Sequence, residues 1–226
     1  MKADYECTLT LAIDGPAASG KSVVGREVAR RLGIRFLDTG AMYRAITLAS
    51  IQQGVAADDA CKLSSLAACA DMRLVTHSNG DRLLLNGDDI TPRLRLAEVD
   101  ASVSAVSAVS GVRTALVAQQ RAIASDGSIV MCGRDIGTVV LPDASVKVFL
   151  TASAEVRAAR RAAEMQQRQE TFDTRQVLAA LQRRDKIDRE RDDSPLRPAA
   201  DALVICSDHL TIEEVVCQIL AEVSQC

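Results

Sequence analysis

The stretch Gly15-Pro16-Ala17-Ala18-Ser19-Gly20-Lys21-Ser22 constrains this chain more than any other. It satisfies G-x-x-x-x-G-K-[ST], follows the apolar run LTLAID at residues 9–14, and opens a helical period in which Val24, Val28 and Leu32 share a face. Small residues let the backbone wrap closely around a phosphate. Successive N–H groups then point inward, and the helix N-terminus adds partial positive charge. Lys21 is placed to bridge β- and γ-phosphates, and the Ser22 hydroxyl to ligate Mg²⁺. The pattern implies a nucleoside triphosphate and leaves the phosphoryl acceptor open.

The surrounding rhythm fits an α/β fold. A strand at 9–14, a helix from Lys21 capped by Gly33, a strand at 34–37 and a helix at 42–53 alternate as in a parallel sheet. Further strands are predicted at 129–132, 146–150 and 202–207, and helices at 58–70, 98–125, 154–169, 174–187 and 211–223. In the last of these, Ile212, Val215, Val216 and Ile219 are expected on one side. Residues 72–91 break the rhythm: they alternate and carry turn signals at Ser78-Asn79-Gly80-Asp81 and Asn86-Gly87, an antiparallel meander foreign to a parallel sheet. An inserted lobe is therefore placed at about 62–106, within a core formed by 1–61 and 107–226.

Composition narrows the partners. The 226-residue chain has a net charge of −3 and 2% aromatic residues, which argues against nucleic-acid binding. No apolar run is long enough to span a membrane, and residues 1–10 lack a signal pattern, so a cytoplasmic location is expected. The seven cysteines include no C-x-x-C pair and read as buried reduced thiols. With two histidines, His77 and His209, a structural zinc site is poorly supplied, and neither is given a role.

There is no N-K-x-D stretch to read guanine, and the third core strand ends in Gly133-Arg134-Asp135 rather than Asp-Glu. Arg44, Arg113, Arg134, Arg184 and Arg191 lie near strand ends or on polar helix segments. An acceptor that is itself a phosphate ester needs such forked cations to bring two polyanions together. Taken alone, the alternating charges of RRDKIDRERDD at 183–193 read as a solvated face.

The phosphate loop, Leu37-Asp38-Thr39-Gly40-Ala41-Met42-Tyr43-Arg44, the block from Gly133 through Arg134, Asp135 and Gly137 to Ala144, and Arg184 to Arg191 followed by Ser194-Pro195-Leu196 resemble the bacterial cytidylate kinases over about residues 9–220. The resemblance implies the nucleoside-monophosphate kinase fold: a five-stranded parallel sheet flanked by helices, an inserted monophosphate-binding lobe and a helical lid, here about 153–176. It implies transfer of phosphate from ATP to CMP or dCMP with Mg²⁺, by a monomer.

The resemblance also implies residue roles. ATP would be held by Gly15 to Ser22, Val23 (where many members have Thr), and the lid residues Arg160 and Arg161. Thr39, Tyr43, Ser104, Arg113 and Asp135 would face the acceptor's cytosine side. Arg44 and Arg134 would face its phosphate, and Asp188 its ribose. Lys21, Arg134, Arg184 and Arg191 would stabilise the transferring group. Asp38 could cap its helix and also reach the metal through water.

Overall fold

The computed structural model describes residues 8–77, 80–169 and 171–225. Five strands form one parallel sheet in the order β2-β6-β1-β7-β8, where β1 is Thr10–Asp14, β2 Arg35–Asp38, β6 Ile129–Gly133, β7 Val146–Thr151 and β8 Leu203–Cys206. The central strands β1 and β6 are buried almost throughout, as expected where helices cover both faces. One face packs on α1 (Lys21–Leu32) and α8 (Ile212–Val223) through Val24, Val28, Val216 and Ile219. The other packs on α2 (Thr39–Gln52) and α5 (Ser110–Ser125) through Met42, Ile46 and Leu116.

The sequence at 72–91 forms its own antiparallel sheet: β3 (Met72–His77), β4 (Gly80–Leu85) and β5 (Asp88–Asp89). Asn86 and Gly87 both take positive φ, 52° and 90°, the requirement of the tight β4–β5 turn. The other turn signal includes residues 78 and 79, which lie outside the described residues. α3 (Ala60–Cys69) precedes this sheet, with Asp59 accepting from the Lys62 N–H as its N-cap. A 3₁₀ turn at Thr91–Arg93 follows it.

The single helix expected at 98–125 is two helices. α4 (Ala97–Ala108) and α5 meet at a 94° bend, with Val109 at φ −71°, ψ 117° between them. The β-branched and serine-rich run at the joint has weak helix preference, so packing sets the break. α6 (Ala154–Gln167) and α7 (Thr174–Glu190) pack together between β7 and β8.

Two further expectations need correction. Ile212 shares the face of Val215, Val216 and Ile219 by spacing, but at the first position of α8 it is half exposed rather than buried with them. Of the cysteines, Cys132 is buried, but Cys61, Cys69, Cys206 and Cys217 are exposed and free. Cys206 alternates outward from the edge strand β8, which its apolar neighbours concealed. Among the described residues, no single helix is long and apolar enough to cross a membrane.

Candidate active site

Parallel strands deliver their C-terminal ends to one edge of the sheet, where ligands of open α/β folds bind. Here that edge gathers the phosphate loop after β1, Asp38 and Thr39 after β2, Arg134 and Asp135 after β6, and Ser207 after β8.

The loop is shaped by two local features. Gly15 has φ 148°, and a Cβ there would lie 2.0 Å from the Leu150 carbonyl oxygen, so only glycine lets the loop start against β7. Ala18 sits in the left-handed region at φ 57°, a strained conformation of the kind found at ligand clamps. Lys21 is buried and folds back, donating to the Pro16 carbonyl at 2.6 Å and to Ser19 Oγ at 3.2 Å. Burial, aided by the nearby Arg134 charge, lowers its pKa to about 7. Val23 is exposed at the start of α1. Ser22 Oγ donates to Asp38 Oδ2 at 2.7 Å, while Asp38 Oδ1 accepts from the Gly40 N–H and caps α2.

Across the sheet edge lies a second, charged cluster. Arg113 from α5 bonds Asp135 at 2.5 Å, and Arg134 Nε bonds Asp188 of α7 at 2.9 Å. Arg191 stands 3.7 Å from Asp188 and 3.9 Å from Asp135, and donates to the Ser194 carbonyl. Arg44 from α2 pairs with Asp100 of α4 at 2.5 Å and also donates to the Leu94 carbonyl. Burial, together with the Arg134 charge, pushes Arg184 down to about 10. The Tyr43 ring lies under the Arg113 guanidinium, 5.4 Å away, and burial pushes its hydroxyl up to about 12.

Five guanidiniums (Arg44, Arg113, Arg134, Arg184, Arg191) meet three carboxylates (Asp100, Asp135, Asp188), so arginines outnumber their acidic partners. Arg113 Nε, Arg184 Nε and Arg191 Nη2 are buried with no hydrogen-bond acceptor. Buried donors without partners are costly, so their concentration here sets this cluster apart from an ordinary core. The charged run at 183–193 is thus a solvated face only in part: Arg183, Lys186, Arg189 and Glu190 are exposed, but Asp185 and Asp188 are buried, whereas Ile187 is 43% exposed.

Not every candidate joins these clusters. The Thr39 hydroxyl donates to the Cys132 carbonyl at 2.9 Å, tying α2 to β6. Ser104 is half-buried on α4, its carbonyl accepting from the Ser107 hydroxyl. Arg160 does reach the phosphate loop, at the Ser19 carbonyl (3.4 Å), but holds Ser207 more closely at 2.6 Å. Arg161 reaches Asp100 at 2.7 Å, so one carboxylate joins α2, α4 and α6.

Sequence reasoning passed over Arg157 and Asp185. Arg157 is buried at the start of α6, donates to the Ala17 carbonyl at 3.2 Å and pairs with Asp185 at 2.7 Å, tying the phosphate loop to α6 and α7. The available signal was the spacing of Asp185 and Asp188, which lie on one helical face.

The arrangement is therefore a glycine-framed loop and an arginine-rich cluster at one sheet edge, with Lys21 close enough to Arg134 to feel its charge. Comparison with known proteins decides the family: the profile described as cytidylate kinase matches residues 11–225. The chain belongs to the cytidylate kinase family. A cytidylate kinase of Pelotomaculum thermopropionicum is 48% identical, covering 95% of both chains. The cytidylate kinase of Bacillus subtilis is 44% identical over 97% of this chain and 98% of its own, and that of Mycobacterium avium is 49% identical over 92% of each. Among solved structures, an uncharacterised protein from Eubacterium ventriosum superposes with a TM-score of 0.51 at 12% identity, covering 96% of this chain and 99% of its own. That likeness concerns the fold alone. As a cytidylate kinase family member, the chain is a nucleotide-binding phosphotransferase.

Proposed function

We propose that this chain transfers the γ-phosphoryl group of ATP to the phosphate of CMP or dCMP, giving ADP and the corresponding diphosphate. The observation that carries this reading is the set of buried guanidinium donors without acceptors, gathered around Asp135 and Asp188 across the sheet edge from the phosphate loop. An excess of guanidiniums over carboxylates suits a dianionic acceptor phosphate.

The backbone of residues 15–20 cradles the ATP phosphates, and Lys21 leaves Pro16 and Ser19 to engage them. Arg160 and Arg161 close over ATP from a lid at about 153–176. The acceptor is bound in part by the inserted lobe at about 62–106, with 1–61 and 107–226 as the core. Arg44, Arg134 and Arg191 hold the acceptor phosphate, and Asp188 its ribose. Tyr43, Arg113, Asp135, Thr39 and Ser104 border the base.

The acceptor oxygen is already anionic near neutral pH, so no general base is needed. Catalysis is in-line positioning plus charge stabilisation by Lys21, Arg134, Arg184 and Arg191. Closure excludes water and keeps ATP from futile hydrolysis.

The donor set at the loop fits Mg²⁺. Ser22 and Asp38 offer hard oxygens 2.7 Å apart, and among the described residues no group of three or more His, Cys, Asp or Glu could form an all-protein cage. Bound with ATP, the ion would supply charge neutralisation across the β- and γ-oxygens, held by Ser22 directly and by Asp38 through water.

Base choice follows from charge: a carboxylate at Asp135 favours the cytosine amino group and repels the uracil carbonyl. A coupled ADP-release assay over CMP, dCMP, UMP, AMP and shikimate tests the reading. Transfer to CMP and dCMP is expected. Equal rates with UMP would reject it.

A further inference from the structure

The acceptor cluster rests on one carboxylate that phosphoryl transfer does not touch. Asp14 ends β1 and directly precedes Gly15. Its Oδ1 accepts the Ile136 N–H at 2.8 Å and its Oδ2 the Gly137 N–H at 2.7 Å. These amides open a five-residue π-helical turn, Ile136–Val140, where the first N–H groups have no partner within the turn. Arg134 and Asp135 immediately precede them, and Asp135 itself has φ −146°, ψ 23°.

Asp14 is 5% exposed. Burial raises its pKa to about 6, so an anion is held here against a desolvation cost that an apolar strand end would not incur. What the carboxylate provides is two acceptors on one short arm, aimed at consecutive amides. The β1–β6 register, which sets Asp14 beside Gly133, makes that reach possible.

We propose that Asp14 is the positioning residue of the acceptor clamp: by holding the amides of Ile136 and Gly137 it fixes the backbone from which Arg134 reaches Asp188 and Asp135 reaches Arg113. The inference rests on the cytidylate kinase reading, and a shift of the order of an ångström in such groups is costly to the reaction.

The test is Asp14→Asn, whose amide keeps one acceptor oxygen but turns an NH₂ toward the second amide, with Asp14→Ser as a smaller second variant. Each is measured for thermal unfolding, ATP affinity and steady-state kinetics. The expected result is a folded variant in which kcat/KM for CMP falls on the order of a hundredfold, while the KM for ATP changes by less than about threefold. An unchanged response to CMP would overturn the proposal. So would equal losses toward ATP and CMP, or failure of both variants to fold, since either makes Asp14 a general structural residue. A wild-type protein that transfers nothing to CMP would sink the functional reading instead. The positioning claim is then read from a crystal structure of Asp14→Asn, where Arg134 should have left Asp188; an Arg134 still in place would refute it.

Discussion

Arg113 and Asp135 form an ion pair at 2.5 Å with both side chains almost wholly out of water, one arriving from α5 and the other from the segment after β6. Removing one member of such a pair strands the other charge. Asp135→Ala is expected to lower the unfolding free energy by about 3 kcal/mol or more, measured by urea denaturation. Arg113 Nε already lacks an acceptor, so adding CMP should restore more stability to wild type than to the variant.

Arg134→Ala is expected to reduce kcat/KM for CMP about a thousandfold, the scale set by removing one preorganised donor from a transition state. The chain should keep its fold, because Arg134 is partly exposed and Asp188 retains Arg191 nearby. Near-normal turnover in that variant would take Arg134 out of the site.

Burial lowers the pKa of Lys21 to about 7 in the free protein. Binding the ATP phosphates favours its charged form, so complex formation should take up protons at pH 8. Calorimetry in buffers of different ionisation enthalpy reads this directly. No uptake would mean that Lys21 is already charged before ATP arrives.

Asp100 joins Arg44 to Arg161. Burial alone would raise its pKa, but Arg44 and Arg161 outweigh burial and hold it below the ordinary value of 3.8. Its contribution is therefore complete above that value and is lost as pH falls through the lower, folded one. Asp100→Asn should cost about 2 kcal/mol at pH 7, and the difference from wild type should shrink in urea titrations carried below pH 3.8. A gap that persists undiminished in acid would assign the loss to something other than the charge.

The sheet and the phosphate loop were legible because their signals are local: an apolar run, then glycines and Lys21 at fixed spacing. On the acceptor side the arginines stood out as a set, but their individual roles were legible only through family resemblance. On α7 hydropathy points the wrong way, since Asp185 and Asp188 are buried against arginines from β6 and α6 while Ile187 faces water. A pattern of apolar periods cannot reveal a core made of ion pairs. Arg157 was hidden likewise, its partners Ala17 and Asp185 lying far from it in sequence. The helix break at Val109 showed in the sequence only as the mediocre helix propensity of the Ser/Val/Ala run at 101–110, which gives neither its position nor its angle.

That break limits how the chain can vary. Asp100 and Ser104 ride one arm of an elbow and Arg113 the other, and the arms meet at 94°. Inserting a single residue into either arm would turn everything beyond it by about 100° around that arm's own axis. Length changes in this part of the protein should therefore be confined to the turns of the small antiparallel sheet, where they leave both arms in phase.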